Sequence, residues 1–269
     1  MISIEHSRDG RIATLILNRP ERRNALDQSL VLELTRVLTS LDQDEFVRVV
    51  LLTGAGKAFS AGADLDALAT MGSASDEDNL ADSEALTSLF EAIRTCSKVI
   101  IAWVNGHAIA GGSGLATACD LSFASSSAKF GFTEVRIGFV PAIVSVLLRS
   151  RLSETALRDV LLTGRLLTAD EAEEVGLITK AVPPELLEEK VLDVAASIAR
   201  NTSAEAIRRT KTLLHDIENK GFNEALSIAS RANAEARKFA DCQAGVRAFL
   251  NKEDPPWMHF YDRDHDDPA

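Results

Sequence analysis

Apolar and polar residues alternate over Ile2 to His6 and again over Arg11 to Leu17, with Asp9-Gly10 between them, a pattern that predicts a β-hairpin. Asn18-Arg19-Pro20 stops the second strand. From Asp27 onward, Leu30, Leu34, Val37, Leu38 and Leu41 recur at helical spacing and predict a helix whose apolar face needs a cover. Val47 to Thr53 is a short β-branched run closed by Gly54, the pattern of a strand buried on both faces. A polar, acidic stretch from Ser73 to Ser83 then leads into a helix around Glu84 to Cys96, and a strand over Val99 to Val104 follows.

The second half turns helical. Thr168-Ala169-Asp170-Glu171 is a capping box opening a short helix that Gly176 closes, and Ser203 caps another through Ile207, Leu213 and Leu214. Phe222 to Phe239 and Gln243 to Leu250 predict two more, after which Asp254-Pro255-Pro256-Trp257 ends regular structure. The recurring order of strand, glycine loop and helix predicts an α/β fold with its site at the strand ends.

Composition adds exclusions. A net charge of -11 over 269 residues, with no basic block, argues against a nucleic-acid surface. Cys96, Cys119 and Cys242 are far apart and lack a Cys-x-x-Cys pair, so neither a disulfide framework nor a zinc site is expected, and the histidines show no metal-ligand spacing. Met1 to His6 carries no basic stretch followed by an apolar run, and no window reaches membrane-span length, so a soluble cytoplasmic protein is the expectation.

Candidate chemistry sits in the glycine loops. Gly54-Ala55-Gly56-Lys57 invites a nucleotide reading but satisfies neither phosphate-loop nor dinucleotide spacing, and a plain turn explains it. Ser60-Ala61-Gly62-Ala63-Asp64 and Gly106-His107-Ala108-Ile109-Ala110-Gly111-Gly112 each follow a strand, leave the backbone open and precede helical sequence, as backbone hydrogen-bond donors for a carbonyl oxygen would. Phe130-Gly131-Phe132-Thr133-Glu134 adds one carboxylate, which its apolar neighbours Phe130, Phe132, Val135 and Ile137 would desolvate and raise in pKa. His107 is a replacement acid only if it reaches the substrate; a lone histidine in such a loop is more often structural.

With Asn18-Arg19-Pro20, Asn24-Ala25-Leu26, Leu51 to Gly54, Ala58 to Leu65, Val104 to Gly106, Gly111-Gly112, Cys119-Asp120, Phe130 to Glu134, Leu162 to Arg165 and Gly245 to Leu250, the chain resembles the crotonase superfamily, the enoyl-CoA hydratases and isomerases. The resemblance spans almost the whole chain. It implies a crotonase-like spiral of ββα repeats over residues 1–183 and a helical trimerisation region over 184–254; the acidic terminus, 255–269, is expected from its own sequence to be a mobile tail. Trimers or dimers of trimers are implied, as is a coenzyme A thioester substrate, with no cofactor beyond the coenzyme A that the substrate carries.

By the same resemblance, the amides of Ala63 and Gly111 form an oxyanion hole and Glu134 is the catalytic carboxylate. Arg22, Arg23, Ala25, Lys57, Ala61, Asp64, Leu65, Gly112 and Gly138 fall where the family contacts coenzyme A and substrate. Two departures stand out. Gly114 occupies the place of a second glutamate in typical hydratases, and Pro141-Ala142-Ile143-Val144-Ser145 replaces their glycine-rich loop. Both resemble a bacterial hydratase-like subgroup and the single-glutamate isomerases. Hydration of an α,β-unsaturated acyl-CoA is therefore the leading expectation. Δ3-Δ2 isomerisation, decarboxylation or other enolate chemistry, and a catalytically weak thioester-binding or assembly protein are the alternatives.

Overall fold

The computed structural model describes residues 1–258. Its elements run β1 (Ile2–His6), β2 (Ile12–Leu17), α1 (Gln28–Gln43), β3 (Val49–Gly54), β4 (Ala58–Ser60), α2 (Leu65–Met71), α3 (Asp76–Thr95), β5 (Val99–Val104) and β6 (His107–Ile109). There follow α4 (Gly111–Ala118), β7 (Leu121–Ser125), β8 (Lys129–Gly131), α5 (Ala142–Arg149), α6 (Glu154–Thr163), β9 (Leu166–Thr168), α7 (Ala169–Glu174), β10 (Lys180–Val182), α8 (Leu187–Asn201), α9 (Ala204–Ile217), α10 (Phe222–Ala236) and α11 (Ala240–Asn251). Short 3-10 turns at Pro20–Arg22, Glu134–Ile137 and Pro184–Leu186 complete the path.

Two sheets organise these elements. The larger has the order β1-β2-β3-β5-β7-β10, with β1 antiparallel to β2 and every later pairing parallel. The smaller has the order β4-β6-β8-β9, parallel up to β8 and antiparallel at β9. Each central strand of the large sheet hands the chain to one strand of the small sheet and then to a helix: β3 to β4 to α2, β5 to β6 to α4, β7 to β8 and on to α5. This is the ββα repeat that the resemblance implies.

The large sheet is covered on both faces. On one side Leu15, Leu17, Val50, Leu52, Ile100 and Ala102 pack against Leu30, Leu34 and Leu38 of α1 and Leu89, Phe90 and Ile93 of α3. On the other, Ile12, Val49, Leu51, Val99 and Ile101 meet Leu187, Val191 and Ala195 of α8. Double coverage is why β3 and β5 read as unbroken apolar runs rather than alternating ones. Each fully buried leucine contributes about 1.5–3 kcal/mol of transfer free energy, so this sandwich supplies a rigid base for the small sheet.

Helix starts follow side-chain caps. Asp27 accepts from the Leu30 N–H at 2.8 Å, Ser203 from the Ala206 N–H at 3.0 Å, and Thr168 and Glu171 form the reciprocal capping box. The structure corrects one expectation here. The acidic stretch read as a lead-in loop is helical from Asp76, because Ser75 caps α3 by accepting from the Asp78 N–H and Asp76, Glu77 and Asp78 lie in the first turn. Carboxylates there complement the exposed N–H groups, and no burial is needed to hold them.

Beyond α8, helices α9 to α11 leave large apolar side chains in the open, among them Leu214, Phe222, Leu226, Val246, Phe249 and Leu250. Pro255 to Met258 form a turn, closed by the Met258 N–H donating to the Pro255 carbonyl at 3.0 Å. Residues 259–269, most of the segment expected to be a mobile tail, lie outside the described residues.

Candidate active site

The small sheet aligns three chain segments. Ser60 pairs with Ala108 across β4 and β6, and Ala108 pairs with Phe130 across β6 and β8, all running in parallel. Ala63, Gly111 and Glu134 therefore leave neighbouring strand ends on the same edge, where an α/β sheet places its ligands.

The first loop is built by Asn24, fully buried with φ 54°. Its amide nitrogen donates to the carbonyls of Ala55 (3.0 Å) and Ala58 (2.8 Å), its amide oxygen accepts from the Arg19 N–H (3.0 Å), and its carbonyl accepts from the Ser60 hydroxyl (2.8 Å). A short amide side chain suits this place because asparagine tolerates the left-handed region and offers donor and acceptor together. An isolated parallel bridge then joins Leu26 to Ala63: the Leu26 N–H donates to Gly62 O at 2.7 Å and the Asp64 N–H to Leu26 O at 3.0 Å. The bridge uses the groups flanking Ala63 and leaves Ala63's own N–H without an acceptor among the described residues, at an exposed residue.

The second loop enters α4 with no side-chain cap, so the N–H groups of Gly111 and Gly112 are also unused. The two loops touch. A Cβ on Gly62 (φ 82°) would lie 2.5 Å from Ile109 O and 3.2 Å from Gly111 N, and one on Gly112 would lie 2.4 Å from Ser60 O. Only glycine fits on either side of this seam.

Ala110, between β6 and α4, holds φ 49° and ψ −121°, a region that costs a side chain of L configuration about 1–3 kcal/mol. Ala110→Gly is expected to raise Tm by about 2–4 °C, the released strain exceeding the added chain entropy. Differential scanning calorimetry checks this, and a lower Tm would show that the alanine is not strained.

The carboxylate arrives from β8. Thr133 precedes the 3-10 turn Glu134–Ile137, which Gly138 closes at φ 77°, and the Phe139 N–H donates to the Glu134 carbonyl at 3.0 Å. The side chain is half-buried, and its Oε2 is sequestered with no hydrogen-bond partner. Burial raises its pKa above the ordinary 4.5. The surroundings differ from the expectation: Phe130 and Phe132 are fully buried beneath it, but Val135 and Ile137 are exposed, because a turn rather than a strand carries them.

Gly114, one turn into α4, faces hydrocarbon. A Cβ there would lie 2.6 Å from Val144 Cγ1 of α5 and 3.1 Å from Phe90 Cζ of α3. The place where a second acid would project is already filled by buried side chains.

The remaining predicted residues spread along the first loop. Arg22 and Arg23 are exposed, and Arg22 pairs with Asp66 of α2. Lys57 is exposed at the turn between β3 and β4. Ala25 is buried, with its carbonyl accepting from Arg19 at 2.8 Å, while the Ala61 N–H donates to Arg23 O at 2.9 Å. Asp64 is bound inward to the Arg19 guanidinium at 3.3 Å, and Leu65 opens α2. His107 accepts from the Lys129 N–H at 3.1 Å through Nδ1 and is exposed on β6, a structural contact.

Sequence reasoning assigned no role to Arg19 or Asn24, although both lie in the motif. Arg19 bonds Asp27 at 2.8 Å, Asp64 and the Ala25 carbonyl. A buried-side arginine within a Pro- and Asn-containing loop is the signal that this turn is held by side chains. Among the described residues, no group of three or more His, Cys, Asp or Glu is placed to hold a metal ion.

Comparison with known proteins agrees with this architecture. Residues 7–259 match the family described as enoyl-CoA hydratase/isomerase. A Thermus thermophilus protein named as a candidate enoyl-CoA hydratase is 43% identical over 255 residues, covering 95% of this chain and 99% of the relative. The crotonyl-CoA hydratase of Syntrophomonas wolfei is 32% identical over 91% of this chain and 94% of its own. The crystal structure of an enoyl-CoA hydratase from Mycobacterium smegmatis superposes with a TM-score of 0.89 at 29% identity, covering 95% and 98% of the two chains. The chain thus belongs to the enoyl-CoA hydratase/isomerase family, the crotonase superfamily.

Proposed function

We propose that this enzyme hydrates the double bond of a 2-enoyl-CoA thioester, using the Ala63 and Gly111 amides as an oxyanion hole and Glu134 as its one acid-base group. The observation that supports this most is the pairing of two unused backbone N–H groups on touching loops with a half-buried carboxylate oxygen that has no partner. The thioester oxygen accepts from both amides, and the start of α4 favours the charge it gains. Glu134 takes a proton from water, the oxygen bonds to the β-carbon, and the double-bond electrons move onto the thioester as an enolate. The same carboxyl then returns the proton to the α-carbon. Each amide is worth roughly 3 kcal/mol to such a step.

The substrate's coenzyme A is its own handle, so no separate cofactor is invoked. Arg22 and Arg23 supply cations for its phosphates; Lys57, Ala61, Asp64 and Leu65 cradle its adenine and pantetheine, largely through backbone groups, and Ala25, Gly112 and Gly138 complete the binding surface. The open apolar side chains of α9 to α11 support assembly as a trimer or dimer of trimers. No described helix is long and apolar enough to cross a membrane.

A second reading, Δ3-Δ2 isomerisation, is favoured by the Phe90–Val144 wall beside Gly114, since moving a proton between two carbons needs one base and no water. Turnover of crotonyl-CoA and a 3-enoyl-CoA in 18O-labelled and deuterated water separates the two. Oxygen-18 in the product is expected. Deuterium exchange with a shifted double bond and no oxygen-18 would establish the isomerase, and coenzyme A binding without either would leave a binding protein.

A further inference from the structure

The mechanism requires the Gly111 amide and the Glu134 carboxylate to hold a fixed separation, although they lie on different segments. One buried side chain joins those segments. Ser113, in the first turn of α4, is fully buried. Its hydroxyl donates to the Ala108 carbonyl of β6 at 2.5 Å and accepts from the Gly131 N–H of β8 at 3.1 Å. The Gly131 carbonyl in turn accepts from the Ala110 N–H at 2.6 Å. Gly131 is therefore gripped at both of its polar groups by the residues that bracket Gly111, and the chain reaches Glu134 three residues later.

We propose that Ser113 is a positioning residue that sets the distance between the oxyanion donor at Gly111 and the base at Glu134. This rests on the functional reading above. The serine hydroxyl is chemically suited to the place because it donates to one strand while accepting from the other, a bridge that alanine, valine or a carboxylate cannot make. Without the hydroxyl, β8 keeps its ladder bonds to β6 but loses the tie to α4. The turn carrying Glu134 then gains freedom relative to the helix that carries Gly111.

The test is steady-state kinetics of Ser113→Ala and Ser113→Cys with crotonyl-CoA, beside wild type and Glu134→Gln. A misplacement of about 1 Å costs roughly 10²-fold, so Ser113→Ala is expected to lower kcat by about that factor while KM stays within about threefold. The Gly131 amide is expected to exchange faster with deuterated water. Ser113→Cys, close in volume and still a weak donor and acceptor, is expected to recover to within about tenfold of wild type. A folded Ser113→Ala with kcat within threefold of wild type overturns the proposal, as does a parallel fall in kcat and rise in KM. If the alanine variant does not fold, Ser113→Gly, which also lacks the hydroxyl, is read by the same kcat-against-KM criterion. Absence of turnover in wild type removes the functional reading and this one together; wild-type turnover that needs Glu134 but ignores Ser113 removes this one alone.

Discussion

Glu134→Gln is expected to lower kcat by roughly 10³-fold with KM nearly unchanged, the range that loss of a positioned acid-base group produces. Glutamine keeps the shape and removes only the capacity to take up a proton. In the proposed mechanism substrate binding rests on backbone amides and the first loop, so the loss belongs in kcat. The buried Oε2, without a partner among the described residues, sharpens the expectation, and the place of a second acid at Gly114 is walled by Val144 and Phe90. Stopped-flow measurement of conjugated-thioester loss checks the result. A variant within tenfold of wild type would remove Glu134 from the mechanism.

The same residue predicts a pH signature and a stability effect of opposite sense. Desolvation raises the Glu134 pKa above 4.5, so kcat/KM is expected to fall on the acid side with its midpoint above that value, and Glu134→Gln is expected to lack this limb. For stability, a raised folded-state pKa means that the folded protein binds more protons than the unfolded chain between the two pKa values. Stability therefore falls as pH rises through that window, and the ionised carboxylate is a cost at neutral pH. Glu134→Gln is accordingly expected to melt higher than wild type near pH 7, with the gap closing toward pH 4. The gain in Tm and the loss in kcat are two consequences of placing a charge in a dry site.

Much of this arrangement was legible in the residues because burial on both faces leaves a plain trace. β3 and β5 read as strands since α1 and α3 cover one side and α8 the other. Asp27, Thr168 and Ser203 marked helix starts because a cap is a local hydrogen bond between near neighbours. The small sheet was not legible. β4, β6, β8 and β9 have three residues each, too few for any period; β4 and β6 registered only at the glycine loops, and β8 and β9 were assigned no strand of their own. The start of α3 was missed because its first turns are held by a cap and by charge while their side chains face solvent.

The site divided along the same line. Residues whose proposed role is backbone exposure, Ala63 and Gly111, stood out through small neighbours. Residues whose role is to hold distant segments did not. Ser113 bridges β6 and β8, and Asn24 reaches both ends of the β3–β4 turn. Neither type nor spacing shows such a bridge until the segments meet.

Gly114→Glu is the variant that would restore a second acid on paper, and it is expected to fail as a single change. The new Cβ would lie 2.6 Å from Val144 Cγ1 and 3.1 Å from Phe90 Cζ, with both side chains buried between α3, α4 and α5. Overpacking of this kind costs about 1–3 kcal/mol, and a carboxylate without partners in the same wall adds its desolvation. The expected result is a fall in stability of about 3 kcal/mol or more, seen as a lower urea midpoint, with no gain in hydration. Adding Val144→Ala removes the closest contact. The double variant is expected to regain part of the lost stability and to hydrate crotonyl-CoA faster than Gly114→Glu alone. A single variant as stable as wild type and faster at hydration would show that α5 yields readily and that the wall does not set the chemistry. If the wall does set it, one carboxylate is not the remnant of a lost pair: α3 and α5 have closed over the second position, and three residues rather than one define how this site handles a proton.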